Sequence, residues 1–300
     1  MTNLSKSLNP LGPLEPIQPL MPLLAYGTWV ENLRDAYIMT GLVREALRIG
    51  YTHIDTAKIY GTEQYVFQAI RESLIPRKSI YLTSKITGFV PIKTLQRELG
   101  TIGYYDMLLL HYPPLNITSS EAFKKEIRRT WTQMQDYIDT GVAKAIGVSN
   151  FYFNHLRLLL EVCHEDNLIL PSVNQIEIHP GDLHLDYVPY MQSEEVIPFA
   201  HTPLGGLGSQ YILNNEILIA IGDRIGATPA QVVIAYLLKR GIGVVTRSTN
   251  SSRMEESLIA STLINSLTND DIDRINETES GLGPLLEGSQ AAWEQNSRLH

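Results

Sequence analysis

From residue 23 onward the chain alternates between two hydrophobic rhythms. Short apolar runs rich in β-branched and aromatic residues are separated by longer stretches in which apolar residues return at helical spacing. That alternation predicts parallel strands joined by crossover helices, because strands covered on both faces read as near-continuous apolar runs. The predicted strands are Leu23 to Thr28, His53 to Ala57, Ile80 to Lys85, Asp106 to His111, Ala143 to Ser149, Ser172 to Ile178, Val196 to Thr202 and Gly243 to Arg247. Helical pattern is clearest in Ser119 to Asp139, with Ser120 placed to cap its start, and in Thr228 to Leu238, where Pro229 suits a first turn. Gly141 and Gly241 read as helix stops. Eight alternating units fit a closed (β/α)₈ barrel of the TIM type better than an open doubly wound sheet. No linker or internal repeat divides them, so the expected fold class is α/β, a single barrel domain over residues 23–279.

The two ends break the rhythm. Prolines at positions 10, 13, 16, 19 and 22 resist both helix and central strand, so residues 1–22 are expected to form an irregular cover. Residues 280–300 mix Gly, Pro, Ser and Gln with one Trp and are expected to lie as a tail across the barrel mouth.

Charge and composition then remove whole classes of function. Lys plus Arg number 24 against 32 Asp plus Glu, a net charge of −8 with no long basic run, which argues against nucleic acid as a partner. The apolar runs fall short of the roughly 20 residues needed to span a bilayer, so no membrane partner is expected. The single cysteine, Cys163, cannot form an intramolecular disulfide, and no apolar leader follows the first residues; the expected setting is reducing and cytoplasmic. His179, His184 and Asp186 fit no common zinc spacing, and no metal is expected. Gly205-Gly-Leu-Gly208 lacks the spacing and context of a dinucleotide-binding turn.

What remains is a set of polar residues where the predicted strands end: Asp55 and Tyr60 after the second, Lys85 at the third, His111 at the fourth, Ser149 and Asn150 at the fifth, Gln175 within the sixth. In barrels of this kind that rim carries the active site. Singly, each has a structural explanation: Asp55 as a loop cap, Tyr60 as packing, Lys85 with its ammonium led out to solvent, His111 as a core histidine. Together they supply what a working phenol needs. Unperturbed, tyrosine titrates at about 10; a neighbouring ammonium lowers that value, and a carboxylate holds the ammonium charged and in place. His111 would orient a substrate carbonyl.

The runs that carry these residues resemble the aldo-keto reductases, NAD(P)H-dependent barrel enzymes. They are His53-Ile-Asp-Thr-Ala-Lys-Ile-Tyr-Gly-Thr-Glu63, Thr83-Ser-Lys-Ile86, Leu109-Leu-His-Tyr-Pro113 and GVAKAIGVSNF over Gly141 to Phe151, in the family's order. The likeness runs from Pro22 to Thr278. It implies a catalytic tetrad of Asp55, Tyr60, Lys85 and His111. Ser149, Asn150 and Gln175 would hold a nicotinamide carboxamide, with Gly27, Thr28 and Trp29 lining that end of the cleft and Asp55, His201, Leu204 and Gly205 also against the cofactor. Val245 to Ser257 resembles the family's adenosine-phosphate segment, which implies NADP: Arg247, Ser248 and Arg253 at the 2′-phosphate, and Thr249, Asn250, Glu256 and Ser257 nearby.

Three positions depart from the family's pattern. His201 stands where a tyrosine usually stacks on the nicotinamide, Arg247 where lysine is common, and Ser257 where asparagine is common. The stretch Gly205 to Asn215 is also short beside the loop that folds over the cofactor in many members, which predicts a more open cleft. By resemblance the chain is a monomer that reduces a small aldehyde or ketone to an alcohol, with the proton from Tyr60. Phe89, Tyr112, Trp29 and Trp293 suggest an aromatic-lined pocket. A sugar or polyol dehydrogenase is the alternative, and a non-catalytic NADP(H)-binding redox-sensing subunit is a third that the intact tetrad disfavours.

Overall fold

The computed structural model describes residues 21–279 and 285–299, apart from the side chain of Leu207. Most of the Pro-rich stretch, up to residue 20, and residues 280–284 and 300 of the tail lie outside the described residues. Eight strands occur where the apolar runs predict them: β1 (Leu24–Gly27), β2 (His53–Asp55), β3 (Tyr81–Ile86), β4 (Tyr105–Leu110), β5 (Ala143–Ser149), β6 (Val173–Glu177), β7 (Ile197–His201) and β8 (Gly243–Thr246). All neighbours are parallel, and β8 returns to pair with β1 through Leu24↔Val244 and Tyr26↔Thr246, which closes the barrel. Closure leaves no free sheet edge.

The helices between strands form the outer layer. The long one spans Ser120–Asp139, and its cap is Ser119 rather than Ser120: Ser119 has extended backbone, and its side chain accepts the Ala122 N–H. Trp131, Ile127 and Phe123 from this helix are fully buried with Leu108, Ile146 and Val148 of the sheet. The helix Pro229–Lys239 opens on a reciprocal box between Thr228 and Gln231. Gly141 and Gly241 follow their helices at positive φ, as expected of stops. No single helix among the described residues is long and apolar enough to cross a membrane.

Strand periodicity positions the site. Ala25, Tyr81, Met107, Leu109, Val173, Phe199 and Val245 form a separate buried cluster, the packed interior of the barrel. Gly243 makes room for it, since a Cβ there would sit 2.1 Å from the Phe199 ring. Side chains alternate across a strand with period two, so the next inward positions toward the C-terminal rim are Gly27, Asp55, Lys85, His111, Ser149, Gln175, His201 and Arg247. One apolar floor thus carries polar residues from seven of the eight strands directly above it, β1 contributing Gly27.

Candidate active site

At the centre of the rim Lys85 has no exposed surface. Its Nζ donates to Asp55 Oδ1 at 2.5 Å, to the Thr56 carbonyl at 3.0 Å and to the Tyr60 hydroxyl at 3.3 Å. The ammonium therefore does not reach solvent, and its three protons have three oxygen partners. Asp55 is held from the other side, its Oδ2 accepting Gln175 Nε2 at 2.8 Å. Tyr60 ends the short turn Lys58–Tyr60 that follows β2, and Gly61 continues it at positive φ. This turn swings the half-buried phenol back over Lys85. His111 extends β4 by one ladder bond, its N–H to the Ile86 carbonyl at 2.8 Å, and its ring meets the Tyr60 ring edge-on at 5.7 Å.

Burial dominates the electrostatics. It raises the Tyr60 hydroxyl above the ordinary tyrosine value, and the Lys85 ammonium offsets only part of that. The lowering expected from the sequence is thus corrected: removing the phenolate from water costs more than one ammonium, already shared with Asp55, returns. Burial also works against a charged Lys85, but attraction to Asp55 and Tyr60 outweighs it and keeps the amine protonated. His111 is pushed down to about 2, first by burial and then by the Lys85 charge. Its ring is neutral, and its buried Nδ1 has no partner among the described residues. A protonated phenol and a neutral imidazole, side by side over a buried ammonium, suit a polarised oxygen atom.

The amide-bearing residues form one network. Ser149 Oγ donates to the Gln175 carbonyl at 2.7 Å, and Asn150 Nδ2 donates to the His111 carbonyl at 3.0 Å and to Ser149 Oγ at 3.2 Å. Asn150 itself sits at a φ of 61°, a left-handed conformation that asparagine tolerates better than most. His201 Nε2 lies 3.3 Å from Asn150 Oδ1, and burial lowers the His201 ring to about 4. The stretch after β7 folds as a turn over Gly206–Gly208 and a short helix, Ser209–Leu213; Gly205 is buried, and Leu204 is half-buried against the core.

Thr28 follows β1 and packs toward the turn after β2. It is fully buried, and its hydroxyl lies 3.3 Å from that of Thr62. Gly27 sits where a Cβ would come within 2.8 Å of Val245. Of the aromatic residues, Tyr112 stacks on His111 at 4.8 Å, and Trp29 and Trp293 are about half exposed. Phe89, about half exposed, stacks on Tyr137 of the outer helix.

After β8, next to β1, Arg247 lies over the Trp29 ring at 5.7 Å. Arg247, Thr249, Val30, Glu31, Asn32, Asp35 and Ile38 line a cleft of about 490 Å³. Asn250 caps the helix Ser251–Ala260 by accepting the Arg253 N–H at 3.2 Å. Tyr26 donates to the Ser248 carbonyl at 2.8 Å and shapes the loop from beneath. Arg247 and Arg253 are exposed, and among the described residues neither guanidinium is paired with a carboxylate. Glu256 accepts from the Thr228 hydroxyl, and Ser257 interacts with Tyr51.

Two buried residues at the rim are not among those the sequence predicts. Glu177 follows Gln175 in the inward phase of β6 and is fully buried, and Ser289, in the helix Glu287–Asn296, donates to Asn150 Oδ1 at 3.2 Å. Period-two counting along β6 could have found Glu177. No local signal marks Ser289.

A barrel with this rim is matched by the family model described as "Aldo/keto reductase family", over residues 24–280. The chain belongs to the aldo/keto reductase family and is an oxidoreductase. It is 32% identical over 284 residues, 87% of this chain and 88% of the relative, to glycerol 2-dehydrogenase (NADP(+)) of Saccharomyces cerevisiae. It is 35% identical over 243 residues, 78% and 80%, to 9,11-endoperoxide prostaglandin H2 reductase of Trypanosoma cruzi. Among solved structures, an aldo-keto reductase from a Medee basin deep-sea metagenome library superposes with a TM-score of 0.77 at 29% identity, covering 89% of this chain and 95% of that one. A Bombyx mori aldo-keto reductase in complex with NADP superposes at 0.74 and 27% identity, covering 87% and 90%.

Proposed function

We propose that this chain reduces a small aldehyde or ketone to an alcohol, with Tyr60 as the proton donor. The observation that carries the reading is the buried Lys85 ammonium, held between Asp55 Oδ1 and the Tyr60 hydroxyl. The cofactor is NADP. Its phosphate end fits the residues present, because two unpaired guanidiniums beside a capped helix start suit a phosphate dianion. Arg247, Ser248 and Arg253 would hold the 2′-phosphate, Ser149, Asn150 and Gln175 the carboxamide, and His201 would face the nicotinamide ring. When bound, NADPH supplies a hydride to the carbonyl carbon.

This chain's own residues do the rest. Neutral His111 and the Tyr60 hydroxyl hold the carbonyl oxygen from two sides and select one face of the substrate. Tyr60 gives its proton to that oxygen as negative charge develops there, and the Lys85 ammonium stabilises the phenolate left behind. Asp55, fixed by Gln175, keeps the ammonium aimed. Tyr112 and Trp29 wall the pocket, which favours a carbonyl with an apolar substituent. The test is NADPH oxidation followed against a panel of aldehydes and ketones, and NADP reduction against alcohols and polyols. Saturable cofactor binding with no turnover in either direction would sink the reading.

Two further outcomes are expected of this site. Arg247→Ala and Arg253→Ala should each weaken NADPH binding by roughly ten- to a hundredfold, the worth of one hydrogen bond to a charged group. NADH affinity should hardly change, since NADH lacks the phosphate; a fluorescence titration at fixed ionic strength reads both. Wild-type affinities that are equal for the two cofactors would overturn the assignment.

The second outcome concerns pH. Because burial raises the Tyr60 hydroxyl, it stays protonated throughout the range below about 10. Reduction should therefore show no loss of kcat/KM assignable to this group from about pH 6 to about pH 9. Alcohol oxidation needs the phenolate as base and should rise with pH over the same span. A reduction rate that falls through neutral pH would assign the proton to another group.

A further inference from the structure

We propose that Glu177 is a positioning residue for the carbonyl reduction proposed above: from the barrel rim it caps the C-terminal helix Glu287–Asn296 and so sets Ser289 against Asn150. The helix starts without a cap of its own, because Leu286 occupies the cap position and has no side-chain acceptor. The N–H groups of the two residues that lead into it, Leu285 and Leu286, turn instead to a carboxylate more than a hundred residues earlier. Glu177 Oε1 accepts the Leu285 N–H at 2.9 Å, and Oε2 accepts the Leu286 N–H at 3.1 Å. A carboxylate at this end is also favoured by the helix dipole.

Glu177 is built for that task. It is fully buried, in the inward phase of β6, and Oε1 lies 3.2 Å from His179 Nε2. Burial works against its charge, but the His179 contact and the two backbone N–H groups outweigh this and hold the carboxyl below its ordinary range. The cap is therefore an anion, and a charge-assisted hydrogen bond is stronger than a neutral one.

The first turn of the capped helix reaches the reaction centre. Gly288 lies against Tyr112, where a Cβ would come within 2.5 Å of the hydroxyl, and Tyr112 stacks on His111. One residue further on, Ser289 is buried and donates to Asn150 Oδ1. Asn150 Oδ1 therefore acts as acceptor toward Ser289 while Nδ2 donates to the His111 carbonyl and Ser149 Oγ. Ser289 thus adds to the His111 carbonyl and His201 in fixing which way the Asn150 amide faces. The far end of the helix is secured separately, Gln295 Nε2 donating to the Pro114 and Ile117 carbonyls and Asn154 bonding Asn296. Loss of the Glu177 cap would release the start of the helix while this end stays attached.

Three variants test the inference on the full-length chain. Leu286→Pro deletes one donor, together with a leucine side chain that is 40% exposed, and the backbone there, φ −84° and ψ 134°, is one proline adopts. Glu177→Gln removes the charge from the acceptor side. Each should raise the KM for a carbonyl substrate about tenfold and, by releasing Ser289, weaken NADPH binding several-fold, with kcat within about twofold, a ground-state positioning signature. Hydrogen exchange of the backbone amides in residues 287–296 should quicken about tenfold while the barrel strands keep their protection. The double variant should do little more than either alone, because both remove one interaction.

Ser289→Ala should also weaken NADPH binding several-fold, but with exchange unchanged. Exchange reads the cap without any turnover, so a failure of the proposed reaction is distinguishable from a failure of the cap. Wild-type exchange and KM in Leu286→Pro would overturn the inference. So would faster exchange with KM unmoved, which would leave Glu177 a structural residue only; and if Glu177→Gln fails to fold, Leu286→Pro still decides.

Discussion

Tyr60→Phe is expected to lower kcat for carbonyl reduction by at least about a hundredfold, within the range that general acid catalysis contributes. The hydroxyl it removes accepts a hydrogen bond from Lys85 Nζ at 3.3 Å and faces the space beside His111. It makes no contact with the phosphate loop, so NADPH affinity should stay within about twofold of wild type. The ring itself remains, and with it the edge contact to His111 and the Lys85 ammonium near its face at 5.1 Å. Stability should therefore change little. Single-turnover reduction followed at the NADPH absorbance separates the chemical step from product release, and a Phe variant with wild-type turnover would remove Tyr60 from the mechanism.

Lys85→Met should have two separable effects. The first is on folding: the variant leaves the Asp55 carboxylate buried with Gln175 as its remaining side-chain partner. Deleting one member of a buried ion pair costs about 3–5 kcal/mol, mostly the penalty of the charge left behind. The second is on chemistry, because without the ammonium nothing stabilises the phenolate that proton delivery creates; turnover should fall by at least about a hundredfold. Adding Asp55→Asn to Lys85→Met removes the orphaned charge and should recover much of the lost stability, read as the midpoint of denaturant unfolding. It should recover no activity. If the double variant regained turnover together with stability, the ammonium would be a structural group and the proposed role in catalysis would fail.

The pattern of apolar runs determined the architecture. Strands covered on both faces must be apolar throughout, and crossover helices must carry a one-sided stripe, so the eight-unit alternation was visible without any knowledge of contacts. Period-two alternation also explains why the rim residues were legible: Lys85 follows Tyr81 and Thr83, and His111 follows Met107 and Leu109, each pair locked in phase by the strand itself. Strand ends and caps were less legible. Ser119, not Ser120, caps its helix because the deciding quantity is a backbone angle, which adjacent serines do not reveal.

Only the tertiary structure decided what depends on burial and on distant partners. A sequence shows that an ammonium and a phenol are available, but the sign of the shift at Tyr60 depends on how much water the closed barrel excludes, and there burial wins over Lys85. Phe89 comes after β3, and only the fold shows that its half-exposed ring stacks on Tyr137 of the outer helix. Glu177 and the N–H of Leu285 are 108 residues apart, and Ser289 meets Asn150 across 139. Local propensity carries no information over such separations; these contacts exist because barrel closure brings the end of β6 and the C-terminal helix to the same rim.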